Sequence, residues 1–108
     1  MLSLEEVLAS GGTGEYELDW PVRGEFLAYH SCGCADACWV AEVRSRRTKA
    51  VKARLRCDCE KLYFYRHGRE AEQKISDSCS SINDGKIKSE AIRHNMEDLL
   101  RQDQLRGR

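Results

Sequence analysis

Six cysteines are the residues most able to do chemistry in this 108-residue chain. They run Cys32-x-Cys34-x3-Cys38, then 18 residues, then Cys57-x-Cys59, with Cys79 apart. Thiolates are the preferred structural donors of a tetrahedral zinc ion. Two close Cys groups, each at a strand end and joined by a hairpin, would bring four sulfurs together in a zinc-ribbon layout. The expected ligands are Cys57 and Cys59 plus two of Cys32, Cys34 and Cys38, with His30 as a substitute. The expected cofactor is a structural Zn2+. Both pairs are C-x-C, whereas a rubredoxin-type knuckle uses C-x2-C. Four thiolates could also hold an iron–sulfur cluster, and the same cysteines could pair as disulfides or stay as unligated core thiols. Cys79, four residues after Ile75, reads as a small buried apolar residue. His67 and His94 read as solvated surface residues.

Three expectations set these thiols in context. The N-terminal residues Met1-Leu2-Ser3-Leu4-Glu5-Glu6 carry acids where a signal peptide carries Lys or Arg. The expected compartment is therefore the cytoplasm, where disulfides are rare. No stretch approaches the roughly 18–20 apolar residues of a membrane span, so no membrane partner is expected. The catalytic signatures His-Glu-x-x-His, Gly-x-Ser-x-Gly and a thioredoxin-like C-x-x-C are all absent. A closed thiolate site leaves no open coordination position, so the chain is read as non-enzymatic.

Charge supplies the second chemistry. The chain has 18 basic and 18 acidic residues, but they are segregated. Residues 1–38 carry seven acids and one base, and residues 39–69 carry ten bases and three acids. Between Arg44 and Arg56 stand Arg44, Arg46, Arg47, Lys49, Lys52, Arg54 and Arg56, with no acid. Unpaired cations along a rigid ribbon suit phosphates, and Tyr63 and Tyr65 on the next strand could stack bases. The plainer reading is a solvated face paired with the acidic N-terminal third. A protein partner is the alternative to nucleic acid, because the overall charge balances.

The elements that must position these groups follow from periodicity. Ser3-x-x-Glu6 is a capping box for a short helix over 3–9, followed by a Gly11–Gly14 link. Tyr16, Leu18 and Trp20 alternate with acids as a strand ended by Pro21. Residues 25–30 form a second strand. Trp39, Ala41 and Val43, then Val51, Ala53, Leu55 and Cys57, alternate with polar residues across Ser45–Thr48, which predicts a hairpin with an apolar odd face and a basic even face. Residues 62–65 add a strand. From Arg69 the spacing of Ala71, Ile75 and Cys79 predicts a helix. A last helix carries Ile87, Ala91, Ile92, Met96, Leu99 and Leu100 on one stripe, which could pack on the ribbon or pair two copies as a homodimer. The expected fold is α+β: a small zinc-ribbon-like antiparallel sheet with a short N-terminal helix and C-terminal helices. Its segments are 1–14 (helix and link), 15–68 (zinc-stapled β domain) and 69–108 (helical).

Arg44-Ser45-Arg46-x-Thr48-Lys49, followed by Leu55-Arg56-Cys57-x-Cys59-x-x-x-Tyr63-Phe64, resembles the small phage zinc-finger regulators of the Ogr/Delta class and the Com-type translational regulators, over about residues 32–66. The resemblance implies nucleic-acid binding in transcription or related regulation, with Cys34, Cys57 and Cys59 as zinc ligands. The alternative function is a protein–protein adaptor or inhibitor of a host or defence complex.

Overall fold

The computed structural model describes residues 14–35, 37–69 and 71–106. Six antiparallel strands form one sheet: β1 (Tyr16–Leu18), β2 (Glu25–Gly33), β3 (Cys38–Ser45), β4 (Val51–Asp58), β5 (Leu62–Arg66) and β6 (Gln73–Ser76). The order across the sheet is the order along the chain, so every strand pairs with its sequence neighbour. A short helix α1 (Ser80–Asn83) and a long helix α2 (Lys88–Arg106) follow. The expected α+β class holds at this level: an antiparallel sheet with a C-terminal helix. The expected N-terminal helix over 3–9 lies outside the described residues.

Period-2 alternation decides which side of the sheet is covered. Trp39, Ala41, Val43, Ala53, Leu55, Cys57, Leu62 and Phe64 point to one face and are buried there. Ile82 of α1 and Ile92 and Met96 of α2 close over them. Ala91, Leu99 and Leu100 are partly buried against the same core, so the apolar stripe of α2 packs on the sheet. Each fully buried large aliphatic side chain contributes about 2 kcal/mol by removal from water. Ile87 precedes the helix and is exposed.

One expected element is different. The Ala71–Ile75–Cys79 spacing does not make a helix. Instead residues 73–76 are β6, which pairs Phe64 with Gln73, Tyr63 with Lys74 and Leu62 with Ser76. Three of its four residues are exposed, Ile75 among them. The segment gains more from β5's open backbone groups than from an isolated helical turn, because short helices without a packed face are marginal in water.

Candidate functional site: the disulfide end and the sheet face opposite α2

The six cysteines do not hold a metal. They form three disulfides, Cys32–Cys38, Cys34–Cys59 and Cys57–Cys79. Among the described residues no group of His, Cys, Asp or Glu is arranged to bind an ion. This corrects the expectation of structural zinc on Cys32, Cys34, Cys38, Cys57 and Cys59. The ribbon layout does gather the sulfurs at one end of the sheet, but as covalent pairs. It also corrects the expectation of a cytoplasmic protein: three disulfides point to an oxidising environment such as a secreted or extracellular one. Cys79 is buried as expected, but as a half-cystine. Its bond to Cys57 ties the start of α1 to the core strand β4.

The three bridges occupy different surroundings. Cys57 and Cys79 are each almost fully buried. Cys32 and Cys38 close a small ring across the β2–β3 hairpin, where the register shifts between Ser31 and Gly33. Cys34–Cys59 joins that hairpin loop to the β4–β5 turn. Here the backbone is strained: Cys34, Ala35 and Cys59 have φ of 55°, 51° and 85°. Left-handed backbone costs a non-glycine residue about 1–2 kcal/mol. The Cys59 turn is held by Asp58, whose Oδ1 accepts the amides of Glu60 and Lys61 at 3.3 and 2.7 Å. Those amide hydrogen bonds, Lys61 first, hold the Asp58 carboxyl below its ordinary range.

Beside these bridges lies a groove of about 860 Å3, lined by Tyr16, Tyr29, Ser31, Cys59, Asn83 and Asp84 among others. Its floor is tied to the core. Trp39 Nε1 donates to Asn83 Oδ1 at 2.7 Å, and Asn83 Nδ2 points at Cys57 Sγ at 3.9 Å. Lys88 Nζ stands 5.8 Å from the Tyr29 ring centre.

Among the described residues no helix lies on the opposite face of the sheet. Cross-strand register aligns Glu17, Ala28, Glu42, Arg54 and Tyr65 in one row, and His30, Val40, Arg56, Tyr63 and Lys74 in the next. The basic run of the hairpin lies here, but its cations are engaged. Arg44 forks onto Glu15 at 3.2 and 2.7 Å and also reaches Glu42. Arg54 Nε donates to Glu42 at 2.8 Å. Arg46 pairs with Glu17, Lys52 with Glu25, and Arg56 with Glu72. The plainer reading of the charge run, a face paired with the acidic N-terminal third, describes half of these contacts, those to Glu15, Glu17 and Glu25. Arg47 and Lys49 stand exposed at the β3–β4 turn with no ion pair among the described residues, and Lys49 Nζ lies 5.3 Å from the Phe26 ring centre.

Tyr63 and Tyr65 are half-buried beneath guanidinium groups. Arg56 Cζ lies 4.3 Å from the Tyr63 ring centre and Arg54 Cζ 5.5 Å from that of Tyr65. Their faces are thus occupied by cations of the same chain. Glu42 is the anchor of the network. Burial pushes its carboxyl up, but hydrogen bonds from Arg54 and Arg44 outweigh this and leave it below the ordinary carboxylate range.

Sequence reasoning placed most of the basic residues and both tyrosines on one face and offered the acidic N-terminal third as a partner, but missed two of the acids that pair with them. Glu42 and Glu72 lie outside the basic run itself, and only the register brings them to it. The signal for Glu42 was an acid between Ala41 and Val43 on the even-numbered face. His30 takes no part in a metal site, and His67 and His94 are exposed. Compared with protein-family models, curated proteins and solved structures, the chain matches none of them.

Proposed function

We propose that this protein is a non-enzymatic binding module of an oxidising compartment, which engages another protein through the face of its sheet opposite α2. The observation that carries this reading is the ion pairing of the basic hairpin. Free Lys and Arg side chains gain affinity for a polyphosphate by neutralising its phosphates and releasing its condensed counterions. Here Arg44, Arg46, Lys52, Arg54 and Arg56 already hold carboxylates, so a phosphate would have to displace each of them. The chain's net charge is zero.

Arg and Tyr, the residues displayed here, are instead enriched at the centres of protein interfaces. The guanidinium groups of Arg54 and Arg56 are each fixed between a carboxylate and a tyrosine ring, so little side-chain freedom is lost on contact. The disulfides add rigidity to a small core. The adaptor or inhibitor reading follows from these features, with the disulfides rather than zinc as its scaffold.

The test is partner capture by cross-linking from the native source, run beside a shift assay on DNA and RNA. Wild-type protein and Arg101→Ala, altered on the helix side, should retain the same protein. Arg56→Ala and Tyr63→Ala should each lose it, with a cost above about 1 kcal/mol in the affinity for the purified partner. A nucleic-acid shift that weakens steeply with salt and vanishes in the Arg54→Glu/Arg56→Glu variant would replace this reading with the nucleic-acid one.

A further inference from the structure

We propose that the Cys34–Cys59 bridge is a reducible tether, opened by a dithiol while the other two bridges and the fold persist. Three observations single it out. Both of its half-cystines sit in left-handed backbone, and Gly33 and Ala35 continue that conformation on either side of Cys34. Cys34 is exposed, as Cys32 is, whereas Cys57 and Cys79 are shielded within the core, so exposure sets this bridge apart from Cys57–Cys79 and its left-handed backbone sets it apart from Cys32–Cys38. Disulfides that are exposed or strained are the labile ones, and buried relaxed ones resist exchange. The bridge also joins two segments that border the same groove: Ala35 and Ala37 on one side, Cys59 and Glu60 on the other. Opening it lets both segments leave left-handed backbone and separates those walls.

The exchange balances without any further reagent. A thiolate of the dithiol attacks the Cys34 sulfur, and the electron pair of the broken S–S bond leaves on Cys59. The Cys59 thiolate takes up, through solvent, the proton that the attacking thiol released on becoming a thiolate. The second thiol of the dithiol then attacks the mixed disulfide and releases Cys34. The protein gains two electrons and two protons, and the dithiol leaves as its own disulfide. The backbone bonds that should report the opening are Ala37 N–H to Cys34 O at 3.0 Å and Asp58 N–H to Lys61 O at 3.1 Å.

The experiment is a dithiothreitol titration of the oxidised full chain, quenched by alkylation and mapped by mass spectrometry, with amide exchange measured in parallel. An intermediate alkylated only at Cys34 and Cys59 should accumulate. It should form at a dithiothreitol concentration at least about tenfold below that which opens Cys57–Cys79. In it the amides of Ala37 and Asp58 should lose protection while those of Val43 and Leu55 keep theirs. Opening of Cys32–Cys38 first, or loss of all three bridges together, overturns the proposal. The Cys34→Ala/Cys59→Ala variant supplies the second arm. It should fold with its two remaining bridges intact and show no opening in the low-dithiothreitol range. Failure of that variant to fold would equally overturn a tether that opens without unfolding.

Discussion

Replacing Glu42 by Gln tests the electrostatic centre of the sheet. The Glu42 side chain is 12% exposed and accepts from Arg44 Nε and Nη2 at 2.9 and 2.7 Å and from Arg54 Nε at 2.8 Å. Removing one member of a buried ion pair costs about 3–5 kcal/mol, since the surviving charge is left uncompensated. That figure must be discounted here. The Arg44 and Arg54 side chains are 21% and 35% exposed, so water screens them, and Arg44 keeps Glu15. A loss of about 2 kcal/mol remains, which lowers the urea midpoint by about 1–2 M. The sign of the pH dependence follows from the lowered carboxyl. Glu42's contribution is fully present above its ordinary value of 4.5 and is lost as pH falls through the lowered folded value. The gap between wild type and variant should therefore be widest near neutrality and close at strongly acid pH. Urea unfolding at pH 7 and pH 3, with the disulfides intact, measures both. A cycle with Arg54→Met should return a coupling near 1 kcal/mol. A deficit below about 0.5 kcal/mol at pH 7, or one that does not change with pH, would refute the account of Glu42 as the anchor of the face.

Further outcomes concern the bridges and the two tryptophans. A chelator should leave thermal unfolding unchanged, while complete reduction should lower the midpoint steeply; loss of the 22-residue Cys57–Cys79 link alone should cost about 3 kcal/mol, which Cys57→Ser/Cys79→Ser would show in urea. Trp39→Phe removes the donor to Asn83 and should destabilise by about 1–2 kcal/mol, while Trp20→Phe, whose half-buried indole donates to Glu25, should cost less.

The strands were legible because Trp39 to Val43 and Val51 to Cys57 obey a strict two-residue alternation, which only a sheet covered on one side satisfies. The stripe of α2 was legible for the matching reason at helical spacing. Two failures share a physical origin. Ala71, Ile75 and Cys79 recur at a helical interval, yet pairing with β5 and the bond from Cys79 to Cys57 are contacts from elsewhere in the chain, which local spacing does not encode. Likewise, sulfurs brought together at strand ends suit a metal or covalent pairing equally well. The compartment decides between them, and the acidic first residues misdirected that inference towards the cytoplasm. The pairing of the basic hairpin was open for the same reason. Arg56 and Glu72 are sixteen positions apart, and nothing short of the register joins them.

The strand order has a consequence for how this molecule comes into being. A meander in which each strand lies against its immediate successor needs no late threading, and its loop-closure costs are small and sequential. The bridges span 6, 25 and 22 positions, so each can be sealed once a short further length of polypeptide has emerged. Oxidation can thus proceed hairpin by hairpin from the amino-terminal side, with the terminal helix arriving last to roof a sheet already stitched.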